Sequence, residues 1–191
     1  LVVPWLAVGG TDTMNHTLLE ALASRGWSST VVGTRGDVAT GEAVMRHMTP
    51  DVFRLPRFLP DSRIPEFMRY LIESRRPRVI VIEHSEVGYA LVPFIRSHYP
   101  DIPIVDKLHL EADWRSGGYP RFSLIAHEAV DLSITVSDHL RDWMIERGAT
   151  PDRVRTIRHA IDTAAWAPDA DERQRVRDRH GLSHRRPVIL Y

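Results

Sequence analysis

The chain reads as an α/β protein, a doubly wound and mainly parallel sheet with helices on both faces. Three observations predict this. Apolar runs of strand length alternate with amphipathic helical patterns along the 191 residues. The run at 79–82, VIVI, is wholly β-branched, as a strand covered on both faces requires. No internal repeat or low-complexity tract interrupts the alternation, so the order is that of successive βαβ units.

Each element follows from local pattern. Residues 1–8 form a first strand, broken by Pro4. Met14, Leu18, Ala21 and Leu22 share one helical stripe over 11–25, which Gly26 ends. Trp27–Val32 is a strand and 34–40 a Gly/Asp/Thr loop, whereas 41–50 fit neither period. Val52–Leu55 is a short strand between prolines. Pro65 opens a helix whose apolar face is Phe67, Met68, Leu71 and Ile72, and Pro77 stops it. After 79–82, Val87, Leu91, Phe94 and Ile95 mark a helix ending near Tyr99. Ile102–Leu108 is a strand, 109–120 a polar loop and 120–129 a short helix. Leu132–Val136 is a strand, followed by a Ser137-Asp138 turn, a helix closing at Arg147-Gly148, and a strand at Val154–Ile157. Asp171 to Arg179 is a charged helix with Asp171 set against Arg175 at i,i+4. The predicted organisation is a domain over 1–166. Residues 167–191 are then a polar linker with the opening strand, Pro187 to Tyr191, of a further domain not contained in this chain.

Composition narrows the function. Acidic and basic residues balance at 25 each, so neither nucleic acid nor an anionic membrane is favoured as a partner on global charge. Lys107 is the only lysine; an arginine-dominated charge suits a high-GC genome or phosphate recognition. No cysteine is present, which excludes disulfides and thiolate metal sites. His109-x-Glu111-x-Asp113 and His180-x-x-x-His184 lack a metal-binding context such as His-Glu-x-x-His, and no metal is expected. No apolar run reaches the roughly 18 residues of a membrane span. The first run leads straight into Gly9-Gly10 without a basic lead, so it is a strand and not a signal peptide. A cytoplasmic protein, free or peripheral at the membrane, is expected.

In parallel sheets, ligands gather beyond the carboxyl ends of the strands. The candidates there are Gly9, Gly10 and Thr11, then Gly33 to Arg35, Glu83 to Ser85, His109, and Ser137-Asp138. Gly9-Gly10 before a helix permits close ligand approach, or simply makes a tight turn. GGTDTM is not the GxGxxG of dinucleotide folds. Thr11, Asp12 and Asn15 offer hydrogen bonds to a hydroxyl; Asp12 equally suits a helix cap. His84 stands at a strand end between Glu83 and Ser85, as a ligand contact or as ordinary polarity. Trp114, Arg115 and Tyr119 suit a sugar face or a phosphate, or form a lid. Ser137 suits a helix cap or a ligand contact.

Taken together, LVVPWLAVGGTDTMNHTLLEALASRGWSSTVVGT, VDKLH, DLSITVSDHLRDWMIERGATPDRVRTIRHAIDTAAWAP and PVILY resemble the Rossmann-like N-terminal domain of the GT-B retaining glycosyltransferases of family 4, also called group 1. The resemblance implies transfer of a glycosyl unit from a nucleotide-diphosphate sugar to an acceptor hydroxyl, with retention and without a permanently bound cofactor. It implies that Gly9 and Gly10 lie near the donor phosphates and the acceptor, and that His109 reaches the reaction centre. The acceptor (sugar, lipid or small molecule) would sit on this domain and the donor on a C-terminal one, which would carry the paired glutamates. His159-Ala160 replaces the usual Asn-Gly, and Asp12 the usual Glu. A non-catalytic acceptor-binding module and a sugar-nucleotide epimerase are the alternatives.

Overall fold

The computed structural model describes residues 1–189. They fall into two units, Leu1–His159 and the described part of Ala160–Tyr191.

The first unit is a seven-stranded sheet. Its strands are β1 (Val2–Val3), β2 (Val31–Gly33), β3 (Val52–Arg54), β4 (Ile80–Glu83), β5 (Ile104–Leu108), β6 (Leu132–Thr135) and β7 (Val154–Thr156). The order is β3-β2-β1-β4-β5-β6-β7, and every pairing is parallel. The helices are α1 (Gly10–Ala23), α2 (Glu42–Met48), α3 (Ile64–Arg75), α4 (Glu86–His98), α5 (Pro120–Ala126) and α6 (Asp138–Glu146). Strand order reverses between β1 and β4, which opens a crevice at their carboxyl ends.

Alternation along the strands separates two cores. Val3, Val31 and Val52 pack with Leu6, Leu19 and Met45. Val2, Val32, Ile80, Ile82 and Ile104 pack with Met68, Leu71 and Ile72 of α3 and Leu91, Val92 and Ile95 of α4. A third cluster holds Leu108, Leu140, Met144, Ala149 and Val154. The ladder of β1 stops at Val3, because Pro4 has no N–H to continue it.

The structure bears on three of the sequence readings. Residues 42–48 form α2; Met45 is its one buried residue, too sparse a stripe to show periodicity. Asp12 does not cap α1, because the helix begins at Gly10 after Gly9 and places Asp12 inside the first turn. Ser137 does cap, accepting the Leu140 N–H at 3.2 Å.

The second unit contains α7 (Ala170–Arg179), capped by Asp169, whose carboxylate accepts the Glu172 N–H at 2.8 Å. Arg175 pairs with Glu172 at 2.8 Å and not with Asp171, so the favourable spacing is i,i+3. Pro187 to Ile189 belong to no strand. Leu190 and Tyr191, the end of the expected opening strand, lie outside the described residues.

Candidate functional site

Parallel pairing sets Glu83 of β4 in register with Lys107 of β5, both at carboxyl ends. From this pairing the site follows. The Glu83 carboxylate is fully buried, where an unpaired charge would be expensive. Lys107 Nζ donates to Glu83 Oε1 at 3.3 Å and Oε2 at 3.4 Å, and to Asn15 Oδ1 of α1 at 3.0 Å. His109 Nε2, two residues past Lys107, meets Glu83 Oε1 in a short contact. Burial pushes the Glu83 carboxyl up, but the His109 hydrogen bond and the Lys107 charge outweigh it and hold it below the ordinary glutamate range.

Two more imidazoles complete the cluster. His84 meets His109 edge to face with centroids 4.8 Å apart, and His159 packs against His109 at 4.8 Å. His84 also stacks on Tyr119 at 4.6 Å, nearly parallel at 8°. Its Nε2 is buried without a hydrogen-bond partner. Burial, reinforced by the neighbouring His109, brings the His84 pKa down to about 4. Burial likewise lowers that of His159. These rings therefore stay neutral at pH 7, suited to meeting hydroxyls.

Beside the cluster opens a cavity of about 260 Å³ lined by Thr11, His84, Trp114, Arg115, Tyr119 and Arg121 among others. Thr11, His84, Trp114 and Arg115 are thus brought together. Arg115 lies over the Tyr119 ring at 5.7 Å, and Arg121 over Phe122 at 4.7 Å. Gly118 makes the loop possible. Its φ is 63°, and a Cβ there would stand 3.0 Å from the Ala112 Cβ and 3.1 Å from its nitrogen.

Gly9 and Gly10 sit across the crevice, after β1. Gly9 has φ −169°, extended backbone open to any residue, and a Cβ on Gly10 would meet nothing within 4 Å. The turn itself does not demand glycine; what Gly10 leaves is open space above the start of α1. Asp12 lies behind Gly9, its Oδ2 3.2 Å from where a Gly9 Cβ would be. Burial raises the Asp12 pKa against the backbone hydrogen bond from Ala7. Ser137 is occupied as the α6 cap and does not line the cavity.

The sequence placed Glu83 among the strand-end candidates without giving it a role, and did not mark Lys107 as functional. The signal was present, an acid ending one strand and Lys-x-His ending the next, but its meaning depends on the β4–β5 register. A larger, mainly apolar cavity of about 550 Å³ lies at the amino ends of the central strands, lined by residues such as Val2, Leu22, Met68 and Val79. It is remote from the strand ends that carry this chemistry. Among the described residues no group of side chains is arranged to hold a metal, and no helix is long and apolar enough to cross a membrane.

A family model described as Glycosyltransferase Family 4 matches residues 8–165. No curated protein matches. Among solved structures, HepE from Anabaena, in complex with UDP, superposes with a TM-score of 0.65 at 17% identity. That match covers 94% of this chain and 50% of HepE. A glycosyltransferase from Rickettsia africae gives 0.65 at 8% identity, covering 97% and 50%. A UDP-N-acetylglucosamine 2-epimerase described as putative, from Listeria monocytogenes, gives 0.54 at 15%, covering 80% and 43%. The chain spans about half the length of the structures it matches, and at these identities the likeness is one of fold.

Proposed function

Since the chain belongs to glycosyltransferase family 4, we propose that it is the acceptor-side, N-terminal half of an enzyme that moves a glycosyl unit from a nucleotide-diphosphate sugar to a hydroxyl, with retention. The observation that carries this reading is the placement of the Glu83–His109 pair and the open Gly9-Gly10 rim on the two sides of the crevice between β1 and β4. His109 stands at the reaction centre. The cavity beside it receives the acceptor, with Thr11, His84, Trp114 and Arg115 as contacts. Asp12 and Ser137 are left to shape the rim. Neutral rings, aromatic faces and two guanidinium groups suit a sugar or sugar-like acceptor.

Diphosphate stabilisation falls mainly to a second domain. Arg35, Arg54 and Lys107 at these strand ends have carboxylate partners in Asp37, Glu42 and Glu83, and Arg115 and Arg121 line the cavity given to the acceptor. The donor is a nucleotide-sugar, as in the HepE complex with UDP-glucose. A cytoplasmic location, free or peripheral at the membrane, accords with this division.

The test is donor turnover by the parent enzyme carrying both halves. His109→Ala should lower turnover by about tenfold or more while leaving the fold intact, the usual scale for a positioned acid–base group. Unchanged turnover removes His109 from the reaction. A second reading, epimerisation, is favoured by the fold match to 2-epimerases. Product analysis separates the two, because transfer releases a nucleoside diphosphate and epimerisation leaves that linkage intact.

A further inference from the structure

We infer that Glu83 is the positioning residue of His109: it holds the imidazole as its Nε2–H form, so that the Nδ1 lone pair is the atom offered to the ligand. The identity of that ligand as an acceptor hydroxyl rests on the glycosyl-transfer reading; the positioning itself does not.

A carboxylate has no proton to give, so in the Glu83–His109 contact Nε2 must be the donor. A neutral imidazole then has a bare Nδ1. That nitrogen has no hydrogen bond to a described residue and is not sealed from solvent, so a ligand can reach it. The arrangement is rigid on every side. Lys107 holds both Glu83 oxygens and is itself tied to Asn15. His84 and His159 pack on the His109 ring. Glu83 is the one carboxylate that a described hydrogen bond brings to His109, so no second acceptor competes for the ring.

The chemistry closes in one step. The hydroxyl proton passes to Nδ1 as its oxygen bonds to the anomeric carbon on the face that the diphosphate leaves, which keeps the configuration. The bond from that carbon to the diphosphate breaks, and its electron pair leaves on the diphosphate. The imidazolium so formed keeps its Nε2–H bond to Glu83, whose charge it shares with Lys107, and returns its proton to solvent. A carboxylate behind an imidazole serves orientation and charge balance in this way.

The test is proton NMR of the 191-residue chain with nitrogen-15-labelled histidine, His109 being assigned by the signals lost in His109→Gln. The expected result is a far-downfield, slowly exchanging proton on His109 Nε2 and a nitrogen signal of a bare Nδ1. In Glu83→Gln the acceptor is neutral, and that proton should move upfield or vanish into exchange. A His109 protonated on Nδ1, the absence of a protected Nε2 proton, or a signal unmoved in Glu83→Gln overturns the inference. Should Glu83→Gln fail to fold, the unsubstituted chain decides alone. None of these readings depends on glycosyl transfer, so failure of the positioning and failure of the proposed function are separately visible.

Discussion

His84 stands at φ 53°, a left-handed backbone that costs a non-glycine residue free energy. The surroundings hold it there. Ser85, the next residue, caps α4 by accepting the Gly88 N–H at 2.9 Å, and its hydroxyl bonds that of Thr34 at 2.8 Å. The result is a neutral ring turned between His109 and Tyr119. This has a pH consequence. The folded pKa is depressed from 6.5 to about 4, so in that window the unfolded chain binds more protons than the native one. Stability is therefore present above about 6.5 and is lost as pH falls toward 4, by at most about 3 kcal/mol before solvent screening. Asp106, raised by its burial, acts in the opposite sense. A difference measurement isolates His84: His84→Asn, which tolerates the backbone, should flatten urea-derived stability between those pH values. A slope equal to the wild type's would mean that His84 is not held neutral by the fold. Sequence placed His84 and His109 at strand ends, where the structure has them. It could not show the left-handed turn, because nothing in a histidine announces φ.

Among the elements, the loop from β1 to α1 and the start of α2 meet at one point. Gly41 N–H donates to Leu6 O at 2.8 Å, and a Cβ on Gly41 would lie 1.9 Å from Ala7 O. Only a backbone without a side chain passes there. Gly41→Ala should destabilise by about 1–3 kcal/mol or more, the scale of overpacking against a fixed neighbour. Gly10→Ala should leave stability nearly unchanged, since its Cβ would enter open space, yet impair transfer by the parent enzyme if donor or acceptor approaches that surface. Denaturant midpoints and turnover separate the two effects. A strong loss of stability in Gly10→Ala would return Gly9-Gly10 to a structural role. The strands at 52–54, 80–83, 104–108 and 132–135 were legible from their apolar runs. The cluster at Glu83 was not, because a single chain does not print which residue of β4 lies beside Lys107. α2 was hidden for a different reason: a helix that buries one side chain leaves almost no period to read.

At the scale of the whole molecule, the first unit buries its sheet under its own helices, and a cavity of about 260 Å³ opens at the carboxyl ends of its strands. Arg35, Arg54 and Lys107, after β2 and on β3 and β5, have carboxylate partners, and Arg115 and Arg121 line the cavity given to the acceptor. The 191-residue chain alone should therefore bind a nucleotide-diphosphate sugar weakly or undetectably. Isothermal calorimetry showing micromolar affinity would overturn the assignment of the donor to a second domain.

Lys107 is the sole lysine of the sequence, and its side chain is only 13% exposed, tied down beside Glu83 and Asn15. On these 191 residues amine-directed reagents thus find no freely exposed lysine. A single isotopic label on lysine would give a one-residue beacon inside the crevice, and its signal would report occupancy without any engineered tag.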